Sequence, residues 1–174
     1  MIYDKAYFQQ FDWIVPKGFE TIVAPHILGK NVVDVGCAIG TLGEEIKKYA
    51  NLYLGIEIAE YCFSKLVDAN LNCVITSEKS LFNLKGFDVA CVFDVIEHLT
   101  DEEIANLLDR LPSELIISTP TYETPDETHI NIKKYLDWKI FFNYRGYDFS
   151  RIGEFVYPEP DGTDGITMIF HVRK

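Results

Sequence analysis

Short apolar runs alternate along this chain with segments of helical spacing. The runs near Asn31–Cys37, Asn51–Ile56, Cys73–Thr76, Asp88–Phe93 and Glu114–Thr119 are largely continuous, as strands covered on both faces require. Between them the spacing predicts helices near Thr41–Tyr49, Ala59–Asn70 and Asp101–Arg110, the first with Leu42, Ile46 and Tyr49 on one side. Thr100-Asp101-Glu102-Glu103 has the S/T-x-x-E form of a capping box, which sets the start of the third. Such alternation predicts a parallel sheet covered by helices on both faces, with ligands at the carboxyl ends of the strands. Asp34, Glu57 and Asp94 fall at those ends.

After Pro120 the pattern changes. Tyr122 to His129 is a polar loop. Lys133–Tyr144 reads as a helix with Tyr135, Leu136 and Phe142 on one side, ended by Gly146. Tyr147–Tyr157 and Gly165–Val172 read as two strands joined by a Pro-, Gly- and Asp-rich connection. Ahead of the alternating region, Met1 to Lys30 is a lead-in rich in aromatics, among them Tyr3, Tyr7, Phe8, Phe11, Trp13 and Phe19.

Composition narrows the class. A chain of 174 residues, 48% hydrophobic, makes one domain with a sizeable core and argues against disorder. No apolar run reaches membrane-spanning length, and the first residues lack the basic start and apolar stretch of a signal peptide. Cys37, Cys62, Cys73 and Cys91 lie scattered in apolar segments without a C-x-x-C pair, so they read as reduced, buried residues of a cytoplasmic protein. A net charge of −11 argues against a nucleic-acid partner. Locally, Lys133, Lys134, Lys139, Arg145 and Arg151 outnumber Asp137 and Asp148, which suits either a solvated helix face or an anionic substrate.

The chemistry concentrates in three places. Val32-Val33-Asp34-Val35-Gly36-Cys37-Ala38-Ile39-Gly40 is a buried strand ending in a glycine loop that opens into a helix. Its glycines let the backbone turn and approach a ligand. Ala38 stands where the dinucleotide fingerprint G-x-G-x-x-G has its second glycine, which argues against a dehydrogenase. Glu57 ends the next strand, placed to accept hydrogen bonds from both hydroxyls of a ribose, with Ile58 against an adenine face. Phe87-Asp88-Val89-Ala90-Cys91-Val92-Phe93-Asp94-Val95-Ile96-Glu97-His98-Leu99 is a strand running into a polar cluster.

The glycine loop resembles the D-x-G-x-G-x-G loop of class I S-adenosylmethionine (SAM)-dependent methyltransferases. The third stretch resembles their F-D-x-V-x-x-x-D-V-I-E-H-L segment, and Leu115–Pro120 their S-T-P strand end. The resemblance runs from about Asn31 to Pro120 and implies a Rossmann-like three-layer sandwich. Its sheet would be mostly parallel and seven-stranded, with an antiparallel C-terminal hairpin. It also implies one domain, divided into a lead-in lid (1–30), a SAM-binding core (31–120) and an acceptor-side loop, helix and hairpin (121–174).

What the resemblance implies for the site is specific. Gly36, Cys37, Ala38 and Gly40 would bring the loop to the methionyl part of SAM, with Asp34 and Asp94 near its amino group. Glu57 would hold the ribose and Ile58 the adenine. Ser77 or Glu78 would meet the adenine amine in place of the usual aspartate. His98 and His129 are the two candidate bases for an acceptor, expected to be a small molecule methylated on oxygen. His98 serves equally as a structural anchor of the strand-to-helix turn.

Two alternatives stand beside this. Asp94-x-x-Glu97-His98 with His129 resembles the metal-binding E-x-x-E-H…H pattern of small-RNA 2′-O-methyltransferases, with aspartate for the first glutamate. The chain also suits a non-catalytic SAM-binding partner protein.

Overall fold

The computed structural model describes residues 3–9, 14–76, 81–122, 126–158 and 164–174. In the lead-in, Asp4 accepts a hydrogen bond from the Tyr7 N–H at 3.0 Å and caps α1 (Lys5–Phe8). Two further single turns follow, α2 (Phe19–Ile22) and α3 (Ala24–Ile27). Phe11 and Trp13 lie outside the described residues.

The alternating region follows as expected: β1 (Asn31–Val35), α4 (Thr41–Ile46), β2 (Leu52–Glu57), α5 (Cys62–Asp68), β3 (Cys73–Ile75), β4 (Val89–Phe93), α6 (Asp101–Leu108) and β5 (Glu114–Thr119). The capping box of α6 is present in full, with Thr100 and Glu103 satisfying each other's backbone N–H. Next come α7 (Tyr135–Tyr144), β6 (Asp148–Pro158) and β7 (Asp164–Arg173). Gly146 takes φ +79° just after α7, as its place at a helix end requires.

Three expectations about the helices are corrected. The helix expected to Tyr49 ends at Ile46, because Lys48 and Tyr49 donate to carbonyls three residues back, in a tighter turn. The helix expected from Ala59 begins at Cys62, after a similar turn closed by Cys62 N–H on the Ala59 carbonyl. On α7, Leu136 faces solvent at 65% exposure, while Trp138, Phe141 and Phe142 face the core.

The seven strands make one sheet in the order β3-β2-β1-β4-β5-β7-β6. β1 to β5 are parallel, and β7 inserts antiparallel between β5 and β6. This is the Rossmann-like sandwich with an antiparallel terminal hairpin. Alternate residues of each strand feed two cores. Val33, Val35 and Ile117 point to the side of α6 and α7. Val32, Cys91 and Ile116 point to the side that Phe19, Ile27, Ile46 and Leu66 cover. Between β3 and β4 no helix forms among the described residues, and Leu81 and Leu84 fill that part of the first core. The strand order reverses between β1 and β4, which opens a crevice at their carboxyl ends.

Candidate functional site

The crevice is a cavity of about 660 Å³, within the range of small-molecule sites. Its architecture starts at Gly36. There the backbone takes φ +76°, and a Cβ would lie 2.4 Å from Val95 Cγ2. Only glycine lets the β1 loop pass so close to the segment after β4. Gly36→Ala is therefore expected to cost about 2–4 kcal/mol, from the left-handed backbone and the crowded Val95 together. A drop in the thermal midpoint checks it.

The Gly36 and Cys37 N–H groups both donate to the Ile56 carbonyl, folding the loop over the end of β2. Ala38 accepts a left-handed φ of +49°, so the turn that a glycine usually makes is kept. Its N–H donates to Glu57 Oε2 at 2.8 Å. Glu57 Oε1 accepts from the N–H groups of Ile58 at 2.7 Å and Ala59 at 2.9 Å. One buried carboxylate thus ties together the loops after β1 and β2 while standing at the cavity wall. Ile58, 45% exposed, stands beside it on that wall.

Asp34 is placed differently from the expectation. Strand alternation turns it to the face of Val32, where it is 2% exposed and accepts a hydrogen bond from the Tyr53 hydroxyl at 3.0 Å. It stays off the cavity wall, as do Cys37, Ala38 and Gly40, which shape the loop from behind. Burial pushes the Asp34 carboxyl up to about 7. The same burial pushes the Cys37 thiol far above its ordinary range, which leaves it inert. Ser77 and Glu78 lie outside the described residues; Thr76 before them lines the wall.

The other half of the cavity is polar. Asp94 takes a left-handed φ of +51° at the end of β4. Its Oδ1 accepts from Ser118 Oγ at 3.0 Å and its Oδ2 from the Tyr157 hydroxyl at 3.5 Å. Burial raises its carboxyl to about 6. Glu97, on the single 3-10 turn Ile96–His98, is fully buried. Its Oε2 accepts from Thr119 Oγ1 at 3.1 Å, whereas its Oε1 has no hydrogen-bond partner among the described residues. Burial, and after it the neighbouring Asp94 carboxylate, push Glu97 well above the usual carboxylate range.

The two candidate bases meet here. The His98 and His129 rings are edge to face with centroids 4.6 Å apart. His98 Nδ1 lies 2.9 Å from Thr128 Oγ1 and 3.2 Å from the Thr128 carbonyl; the hydroxyl gives its proton to Asp126 and the carbonyl only accepts, so a proton on Nδ1 suits both and leaves Nε2 as the basic nitrogen. Thr128 in turn donates to Asp126, and His129 Nε2 is 3.7 Å from the other Asp126 oxygen. Burial lowers the pKa of both histidines, so the imidazoles are neutral near pH 7. Ligating atoms of Glu97, His98 and His129 lie within 4.8 Å of one another. Asp94 is absent from that group, being turned to Ser118 and Tyr157, so the expected four-residue set comes together as three.

Sequence reasoning missed part of the wall. Tyr157 and Thr167 of the hairpin, Leu81, Leu99 and Tyr122 all line the cavity. The roof includes Tyr3, Tyr7 and Phe8, with the Tyr3 ring 5.9 Å from that of His98.

No protein-family model matches the chain, and no curated protein matches it. Solved structures do. Magnesium protoporphyrin IX methyltransferase from Synechocystis PCC 6803 with bound SAH superposes with a TM-score of 0.75 at 16% identity, over 99% of this chain and 96% of that one. The 1,6-didemethyltoxoflavin-N1-methyltransferase of Burkholderia thailandensis, with bound 1,6-didemethyltoxoflavin and S-adenosylhomocysteine, gives 0.69 at 14% identity over 91% and 77%. A SAM-dependent methyltransferase from Archaeoglobus fulgidus gives 0.65 at 18% identity over 83% and 86%. The chain shares the fold of these methyltransferases over nearly its whole length.

Proposed function

We propose that this chain is a SAM-dependent methyltransferase acting on a small-molecule acceptor. The observation that carries the reading is one continuous cavity joining Glu57 and Ile58 to the His98–His129 pair. The chemistry of the first half suits a nucleoside, with a carboxylate for ribose hydroxyls and Ile58, Leu81 and Leu99 for an adenine ring. SAM, when bound, supplies an electrophilic methyl group on a sulfonium. The chain's part is to align the acceptor with that methyl and to exclude water. Tyr3, Tyr7 and Phe8 serve as a lid, and His98 Nε2 or His129 takes the proton that an oxygen acceptor releases. Methylation of oxygen, and a cytoplasmic location for a chain with four free cysteines, belong to this proposal.

A calorimetric titration with S-adenosylhomocysteine tests it. One-to-one binding at micromolar concentration is expected; a folded protein that takes none moves the non-catalytic partner reading to first place.

Glu97 Oε1, without a hydrogen-bond partner among the described residues and beside two neutral imidazoles, favours a second reading, in which a divalent ion held by Glu97, His98 and His129 orients the acceptor's hydroxyls. Methyl transfer insensitive to chelators would remove it.

A further inference from the structure

A second cluster of metal-ligating side chains lies at the opposite end of the sheet. Glu114 opens β5, His171 stands near the end of β7, and His26 belongs to α3. Ligating atoms of all three lie within 4.8 Å of one another, and each residue is half-buried. The two imidazole rings have centroids 4.5 Å apart, tilted by 53°. His171 Nε2 is 2.9 Å from Glu114 Oε1, and Lys30 Nζ donates to Glu114 Oε2 at 2.8 Å.

We infer that His26, Glu114 and His171 form a binding site for a zinc-type divalent ion, separate from the cavity, that clips α3 to β5 and β7. Two imidazoles and one carboxylate are the donor set of zinc and its neighbours in the first transition row, not of magnesium or calcium. Tetrahedral ligands about 2.0–2.2 Å from zinc stand about 3.4 Å apart, so the three ligating atoms, now within 4.8 Å of one another, draw together on the ion. Water supplies the fourth ligand at this surface. Lys30 holds the second carboxylate oxygen, so the ion takes Oε1 in place of its present contact with His171 Nε2. The three ligands come from elements separated along the chain, so the ion stabilises the folded state by binding it selectively.

The test uses the untagged full chain titrated with Co2+, whose visible absorption reports tetrahedral coordination. One equivalent is expected to bind at micromolar concentration. His26→Gln and Glu114→Gln should each weaken it tenfold or more, while His129→Ala, which breaks up the Glu97–His98–His129 group in the cavity, should keep one tetrahedral equivalent. Zn2+ should raise the thermal midpoint of the wild type by several degrees and that of His26→Gln by none. His26 lies in a single half-exposed turn, and Glu114→Gln offers a second variant should the first fold poorly. No tetrahedral spectrum, or a spectrum lost in His129→Ala and kept in His26→Gln, overturns the inference.

Discussion

Glu57→Ala is expected to weaken S-adenosylhomocysteine binding about ten- to hundredfold. Three backbone N–H groups already occupy most of the carboxylate's acceptor sites, which leaves Oε2 free for one direct charge-assisted bond from a ribose hydroxyl, contributing about 1.5–3 kcal/mol. Losing that bond costs a factor of about ten to a hundred. The substitution also frees the N–H groups of Ala38, Ile58 and Ala59, which Glu57 now holds at 2.7–2.9 Å. The glycine loop then loses its tie to β2, and the thermal midpoint falls. Binding must therefore be titrated well below the variant's own midpoint. Glu57→Gln separates the two roles. Its amide oxygen still accepts a bond, but its NH2 group opposes whichever backbone N–H it meets, so it should bind weakly and melt early. Undiminished affinity in folded Glu57→Ala would show that the carboxylate is a structural tie and that the ribose is held elsewhere.

Glu57 shows what the sequence made legible. Its distance from the glycine loop marked it as a ribose acid, because strand and helix lengths in this architecture fix that spacing. Its bonds to the Ala38, Ile58 and Ala59 N–H groups are contacts between loops, and no local pattern encodes them. The strands were legible because apolar runs with few breaks belong to a sheet buried on both sides. The buried face of α7 differs from the expected one at Leu136. Trp138, Phe141 and Phe142 stand at i, i+3 and i+4, a better helical stripe than one including Leu136. Single turns such as α2 and α3 are too short to show a period at all. His98 and His129 were each readable as candidate bases, but their edge-to-face pairing depends on Thr128 holding the ring of His98. Tyr3, Tyr7 and Phe8 likewise reach the cavity only through the tertiary packing of the lead-in.

The parity of Asp34 within β1 carries the other large prediction. Asp34 shares the face of Val32, beneath the loop, and its carboxyl is raised by burial from an ordinary 3.8 to about 7. The Tyr53 hydroxyl opposes that shift without cancelling it. Between those two values the folded chain keeps a proton that the unfolded chain has released. The unfolded state then binds fewer protons, so this group makes stability fall as pH rises. Its contribution is fully favourable below the unfolded value and is lost progressively up to the folded one. A raised pKa of this size corresponds to about 4 kcal/mol at alkaline pH. Asp34→Asn cannot ionise, and its side-chain oxygen still accepts from Tyr53. Comparing variant with wild type at each pH cancels the other buried groups, Asp94, Glu97 and the histidines. The two proteins should match in denaturant stability near about pH 4, and the variant should be more stable by about 4 kcal/mol near about pH 8. Because Asp34 stays off the cavity wall, S-adenosylhomocysteine affinity should be unchanged. A variant less stable than wild type at the higher pH would mean that the ionised carboxylate is satisfied in place. A loss of affinity with stability gained would return Asp34 to the ligand side of the loop.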